Sequence, residues 1–354
     1  MAEVVPDRRA ILHIGPTKTG TTSIQSWLAS NRQALLERNV FVPRSFGSNH
    51  SELVSWLTAP GAASGRHEPG RFENFKAELA NLPPDISDVV LTGEWFGENL
   101  RSVADIQLFK SFTDRFATKY LVVIYLRRQD LKSVSRYSTR LRLARNAELL
   151  DNPFDYARTL VNWSEVFGRE AIVPRIFERQ AMIKCDVVAD FISVACLPEL
   201  AYDPTAVVRE NSSLSAPAQE LLKLVSEKLI ADGNTTREWT RTALHHEMLA
   251  VLNAHFSDDG ILPTRGDALA FYEKCIAGNE RVRRGWFPEQ TTLFSMDFDK
   301  YPESASPPPT SKEVLDVAVA ALAWTLQIAQ QEAARKRHRA RARTQSEVGP
   351  RARA

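Results

Sequence analysis

The sequence predicts an α/β fold of three layers, a central parallel sheet flanked by helices, with a helical C-terminal half. Three observations predict it. Continuous apolar runs recur at 11–15, 39–43, 89–92, 120–126 and 171–177, without the polar alternation of half-exposed strands. Stretches of helical period separate them, the pattern of strand–helix crossovers that covers both faces of a sheet. Beyond Phe177 the periodicity is helical alone, over 186–197, 216–229, 238–252, 267–283 and 311–334. That half is read as packing on the sheet as a lid rather than folding alone.

The chain has 354 residues, 44% hydrophobic and 25% charged, the composition of a globular protein with ample core. By pattern it divides into a domain over 1–306, an amphipathic helix over 307–334 opened by Pro307-Pro308-Pro309, and a basic tail over 335–354. The tail holds eight Lys or Arg against Glu347 alone, a charge of +7, which leaves −5 for the body within the total of +2. Rich in Arg and Ala, with no apolar anchor after Ile328, it is expected to be solvated and disordered. The first seven residues lack the basic start and apolar core of a signal peptide, and the apolar stretch 317–324 is far short of a membrane span. A cytoplasmic protein without a transmembrane helix is expected. Cys185, Cys196 and Cys275 are odd in number and widely spaced in apolar segments, so they are read as reduced core thiols.

The first apolar run ends in Gly15-Pro16-Thr17-Lys18-Thr19-Gly20-Thr21-Thr22, and helical period follows over 23–36. Strand, glycine turn and helix start form a phosphate cradle. Glycine lets backbone N–H groups face an anion without a Cβ in the way, the helix N-terminus adds partial positive charge, and Lys18 adds a full one. A nucleoside-triphosphate loop places its lysine directly after the second glycine. Here Thr21 follows Gly20 and Lys18 stands two positions before it. The ligand is therefore phosphorylated, but the loop departs from the ATPase form. His13, in the strand beside the loop, reads as a packed core residue.

The run 120–126 ends in Arg127-Arg128-Gln129-Asp130, with Asp130 as N-cap of a helix over 131–143. Arg127 falls at the strand's carboxyl end, and Ser135 lies eight positions on, about two helical turns away. An arginine fork and a hydroxyl so placed converge on one phosphate. The plainer reading makes Arg127 and Arg128 surface ion-pair residues and Ser135 an ordinary helix serine. Lys132 and Arg136 read as a solvated face. In open parallel sheets ligands bind beyond the carboxyl ends of the strands, where Gly15, Gly93 and Arg127 all fall.

The Lys18-Thr19-Gly20-Thr21-Thr22 loop and the segment Leu126-Arg127-Arg128-Gln129-Asp130, followed by Ser135 and Tyr137, resemble two motifs of one family. They are the 5′-phosphosulfate loop and the 3′-phosphate site of sulfotransferases that use 3′-phosphoadenosine 5′-phosphosulfate (PAPS), bacterial members in particular. The resemblance covers most of residues 9–302, including 209–215 and 279–294, to which it assigns no role. It implies a P-loop-type fold and transfer of a sulfuryl group from PAPS to a hydroxyl or amine, with a carbohydrate or glycolipid as the leading acceptor. The product would be 3′,5′-adenosine bisphosphate, and no metal is implied. Gly15, Lys18, Thr19, Gly20, Thr21 and Thr22 would bind the 5′-phosphosulfate, with Lys18 stabilising the leaving phosphate. Arg127 and Ser135 would bind the 3′-phosphate.

For the base that takes the acceptor proton, the resemblance offers two positions. Glu94 follows Gly93 at a strand's carboxyl end, and burial beside Trp95 and Phe96 would raise its pKa into a useful range. His50, in Ser48-Asn49-His50-Ser51, is the competitor, and position at the ligand edge of the sheet favours Glu94. Asn211 and Ser212 read as caps of the helix near Ala216 ahead of nucleotide ligands. Trp163, Trp239, Arg241, Arg284 and Trp286 would line an acceptor site or belong to core and surface.

Two other functions fit parts of the pattern. A P-loop kinase or NTPase would want lysine after Gly20 and an acid at a strand end for magnesium, and only Glu94 could imitate the second. A protein binding anionic polymers through the tail would lose function on removal of 335–354 and bind less in salt. Neither accounts for both motifs. No specific nucleic-acid partner is expected.

Overall fold

The computed structural model describes residues 7–58, 70–145, 147–200, 213–233 and 236–348. They belong to two compact units. The first takes Met1–Ser133, Asn152–Val208 and Ala268–Phe298, the second Val134–Asp151, Arg209–Asp267 and Asp299–Ala354.

The first unit is built on five strands: β1 Arg9–His13, β2 Val40–Phe41, β3 Asp88–Thr92, β4 Lys119–Leu126 and β5 Ile172–Ile176. They form one parallel sheet in the order β2-β3-β1-β4-β5, and every expected strand is present. β1 is central, with Ile11 paired to Val90 on one side and Leu121 on the other. Ala10, Ile11 and Leu12 are wholly buried, as strands covered by helices on both faces require. That register brings the ends of β1, β3 and β4 to one edge, from which the loop at Gly15, the turn at Gly93 and Arg127 emerge.

Two helix groups cover the sheet. Ile24, Trp27 and Leu28 of the helix Thr21–Ser30 pack with Val187, Val188, Phe191 and Ile192 of the helix Val187–Val194. The helices Glu94–Asn99, Val103–Thr113 and Tyr156–Phe167 are joined by rings. Phe96 meets Phe109 at 4.8 Å, Phe109 meets Trp163 at 5.9 Å, and Trp163 stacks on Phe167 at 5.3 Å. Each such fully buried side chain contributes roughly 1.5–3 kcal/mol of transfer free energy. Trp163, 0% exposed, is thus core and not acceptor lining.

The second unit packs the helices Ala216–Ala231, Ala243–His255 and Ser311–Val348 around Leu214, Ala218, Leu222, Val251, Leu252, Val317 and Ala321. A short antiparallel pair, β6 Ser213–Leu214 and β7 Ser257–Asp258, closes one end. The helices beyond Phe177 are therefore divided: Val187–Val194 and Ile276–Trp286 belong to the first unit, and the three packed around Leu214 have a core of their own.

Several expected helices are cut. The stretch 23–36 breaks at Asn31, and 267–283 breaks between Arg265–Glu273 and Ile276–Trp286. The stretch 238–252 is restarted by Thr242, whose hydroxyl caps the His245 N–H at 3.2 Å. The last helix runs on to Val348, through residues whose charge had suggested disorder. Ala, Arg, Lys and Gln are strong helix formers, and no proline interrupts them before Pro350. Cys185 and Cys196 are exposed, in left-handed turns (φ 55° and 52°) flanking the helix Val187–Val194, so only Cys275 is a core thiol. Burial pushes the Cys275 thiol up to about 12. Among the described residues, no helix is long and apolar enough to cross a membrane.

Candidate active site

The loop between β1 and the first helix holds three left-handed residues, Gly15 (φ 72°), Lys18 (φ 71°) and Gly20 (φ 73°). Only glycine fits at two of them. A Cβ on Gly15 would lie 2.7 Å from the Glu94 Cα, and one on Gly20 2.8 Å from the Val187 Cγ1. Lys18 bears the cost of this conformation, of order 1–2 kcal/mol, and sites that store such strain are commonly functional. Gly20 precedes the helix Thr21–Ser30 and no side chain caps its start, so the first-turn N–H groups have no capping side chain, the kind of helix terminus that suits an anion.

The threonines are not equivalent. The Thr19 hydroxyl, fully buried, donates to the Pro16 carbonyl at 2.6 Å and closes the loop on itself. The Thr21 hydroxyl donates to Glu94 Oε1 at 2.8 Å, while Thr22 is exposed. One loop threonine is thus structural, and a second ties the loop to a carboxylate.

Glu94 opens the helix Glu94–Asn99 directly after β3 and Gly93. Its Oε2 accepts from Asn49 Nδ2 at 2.6 Å and from the Ser51 hydroxyl at 3.3 Å. These polar donors bond the carboxylate, and Trp95 is 39% exposed. The segment 48–51 therefore reaches Glu94 through Asn49 and Ser51. The His50 ring does not: its Nδ1 accepts from the Thr92 N–H at 3.0 Å and its Nε2–H donates to the Pro43 carbonyl at 3.2 Å. Burial lowers the His50 ring to about 4, so at neutral pH it is a neutral strut between backbone segments. His13 is likewise buried, bonded through Nδ1 to Thr92 Oγ1 at 2.8 Å and lowered by burial to about 4.

One helical turn past Glu94, Glu98 Oε1 accepts from the Thr17 N–H at 3.1 Å, the Thr17 hydroxyl at 2.6 Å and Lys132 Nζ at 3.0 Å. Burial alone would raise the Glu98 carboxyl, but the Lys132 charge and the Thr17 donors hold it below its ordinary value. Lys132 is 4% exposed, so it is an internal counter-charge and not part of a solvated face.

Arg127 leaves the end of β4 half-buried. Its Nη1 donates to the Lys18 carbonyl at 2.8 Å, and its guanidinium lies 5.6 Å from the Phe177 ring centre. The Tyr156 hydroxyl grips its backbone, donating to the Arg127 carbonyl at 2.8 Å and accepting from its N–H at 3.0 Å. Arg128 is different: it is 2% exposed and forks Asp130 at 2.8 and 3.0 Å. It also donates to the carbonyls of Ser295 (2.7 Å) and Asp297 (2.5 Å) and lies 3.8 Å over Phe298. Asp130 consequently does not cap the helix, which starts at Gln129; a buried guanidinium claims the carboxylate instead. Gln129 and Asn279 exchange side-chain amide bonds at 2.6 and 3.2 Å. The stretch 279–298, unassigned from sequence, thus braces the end of β4. Ser135 lies on the helix Gln129–Arg142, in the part that belongs to the second unit. Asn211 and Ser212 lie outside the described residues.

Sequence reasoning set the loop, Glu94 and Arg127 just beyond the carboxyl ends of strands, where the structure has them, but missed the groups bonded to them. Glu98 carried a usable signal, being four residues after Glu94 and so on the same helix face. Tyr156 carried none, since nothing local ties it to Arg127. Among the described residues no group of His, Cys, Asp and Glu is placed to hold a metal ion.

No family model matches the chain. An uncharacterized protein of Archaeoglobus fulgidus is 25% identical over 237 residues, which cover 62% of this chain and 59% of that relative's length. The solved structure of a sulfotransferase from Alicyclobacillus acidocaldarius superposes with a TM-score of 0.36 at 16% identity, covering 68% of this chain and 100% of that one.

Proposed function

We propose that this chain is a PAPS-dependent sulfotransferase, which moves a sulfuryl group to a hydroxyl or amine, with a carbohydrate or glycolipid as the leading acceptor. The observation that supports it is convergence on one loop. Lys18 and two obligate glycines form the cradle, Glu94 is bonded to Thr21, and Arg127 is bonded to the Lys18 carbonyl. The chemistry of this set suits a phosphate-bearing donor, which when bound supplies the sulfuryl group and a bisphosphate leaving group.

Each residue then has a task. Lys18 and the N–H groups of the helix start hold the 5′-phosphate and offset the charge that grows there as transfer proceeds. Arg127 is assigned to the 3′-phosphate, and Ser135 is carried forward on the motif alone. Glu94 accepts the proton of the attacking hydroxyl, with Asn49 and Ser51 aiming its carboxylate. Glu98, neutralised by Lys132, anchors Thr17 and so the start of the loop. The reading favours Glu94 over His50 because both His50 ring nitrogens are bound to backbone groups.

The test is transfer from radiosulfur-labelled PAPS to a panel of sugars, glycolipids and phenols. Glu94→Gln is expected to lower kcat by about a hundredfold or more while leaving the KM for PAPS near that of the parent. Transfer that survives Glu94→Gln would remove Glu94 as base. Phosphoryl transfer from magnesium-ATP, without transfer from PAPS, would replace the whole reading with a kinase.

A further inference from the structure

The helix Ser311–Val348 of the second unit is apolar on two faces. Val314, Val317, Ala321 and Thr325, at 4–8% exposure, turn inward, with Val317 and Ala321 in the unit's core. Leu315, Val319, Leu322 and Leu326 lie on another face, at 61%, 58%, 61% and 54% exposure. These four are spaced by four, three and four residues, the a/d repeat of a coiled-coil seam. Between Leu315 and Leu326 the other exposed positions are Ala323 and, at the N-terminal end, Asp316. Three turns of aligned aliphatic side chains in water form a patch rather than a scatter of single residues.

The shape of the patch selects its partner. A helix that lies on a lipid surface presents a wide apolar face, usually with aromatic residues, and basic residues beside it. This seam is a narrow a/d stripe, its exposed side chains are aliphatic, and the basic run begins only at Arg335, past its end. The stripe is also complementary to itself: a two-fold axis between Val319 and Leu322 sets Leu315 against Leu326 and Val319 against Leu322.

We propose that this seam binds a second copy of the chain, helix against helix and antiparallel. Charge decides the direction. The helix carries Glu313 and Asp316 against Lys312 near its start, a net charge of −1, and six Lys or Arg between 335 and 343. A parallel pair would lay the two basic blocks side by side. An antiparallel pair overlaps about 30 Å of helix and sends each basic block past the partner's acidic start.

The experiment is sedimentation velocity of the full chain, 39.8 kDa as a monomer, from nanomolar to high micromolar loading. The expected result is a species of twice that mass that dissociates on dilution. Val319→Glu/Leu322→Glu is expected to stay monomeric throughout with an unchanged circular dichroism spectrum, because both side chains face solvent. Direction is read in a Cys185→Ser/Cys196→Ser background, which removes the exposed thiols. Leu315→Cys/Leu326→Cys should oxidise to a covalent dimer and Leu315→Cys alone should not. A wild-type monomer at every concentration, or a dimer that survives the double glutamate variant, overturns the proposal. Cross-linking through Leu315→Cys alone overturns the antiparallel direction. A monomer that binds phosphatidylserine vesicles through the same four residues would assign the seam to lipid and overturn self-association.

Discussion

Replacing Gly15 and Gly20 of the loop after β1, and Gly47 outside it as a reference, one at a time by alanine separates the two costs of placing a side chain at a left-handed position. All three share one backbone conformation, with φ of +72°, +73° and +71°. They differ in surroundings: a Cβ on Gly47 meets nothing within 4 Å, and one on Gly20 meets Val187 Cγ1 at 2.8 Å and Phe177 Cε2 at 3.0 Å. One on Gly15 meets the Glu94 Cα, backbone that cannot rotate away, at 2.7 Å. The left-handed conformation costs a non-glycine residue roughly 1–2 kcal/mol, and overpacking adds about 1–3. Gly47→Ala should therefore lose ~1–2 kcal/mol, Gly20→Ala ~2–3, and Gly15→Ala about 4. Urea unfolding followed by tryptophan fluorescence gives the three values. Equal losses at all three positions would refute the claim that Gly15 is held by its contact with Glu94 and not by its φ alone.

Other consequences are sharper in pH and in binding. His13 and His50, lowered by burial to about 4 from an ordinary 6.5, stay neutral in the fold while the unfolded chain takes up their protons. Stability should then fall as pH drops from about 6.5 to 4, by at most ~3 kcal/mol per ring. His50→Gln, which keeps a donor and an acceptor, should flatten the melting-temperature curve over that window, and an unchanged slope would remove His50 as a cause. Tyr156→Phe strips the Arg127 N–H and carbonyl of a partner, at about 1–3 kcal/mol. In calorimetric titrations it should weaken binding of 3′,5′-adenosine bisphosphate more than of 5′-AMP, and equal weakening would count against Arg127 at the 3′-phosphate. Lys132→Met leaves Glu98 charged and largely buried, for a loss of about 3–5 kcal/mol in chemical denaturation. Adding Glu98→Gln should recover part of that loss, whereas strict additivity would show that the pair is not coupled.

The strands could be read from sequence because burial on both faces leaves no room for polar alternation, and the cradle because glycine spacing and a lysine are local features. Glu94 and Arg127 were legible for a related reason: each directly follows a strand that the pattern marked. What escaped depends on separations a linear text does not display. The Tyr156 hydroxyl reaches Arg127 across 29 residues, and the carbonyls that hold Arg128 lie 167 and 169 residues away. Lys132 looked solvated because its helix is rich in charge, yet its partner Glu98 stands 34 residues earlier. His50 lay in the segment that reaches the site, but a period-free loop does not say which side chain points to the ligand edge. Asn49 and Ser51 do.

The most direct measurement is the thermal stabilisation given by 3′,5′-adenosine bisphosphate, 5′-AMP and magnesium-ATP to the wild type, Lys18→Ala and Arg127→Ala. At a hundred times its dissociation constant a ligand stabilises by roughly 2.7 kcal/mol, a shift of a few degrees in a melt. The expected result is a shift with the bisphosphate that exceeds that with 5′-AMP, needs no magnesium, and is lost in both variants. A shift with magnesium-ATP and none with the bisphosphate would contradict the proposed donor site.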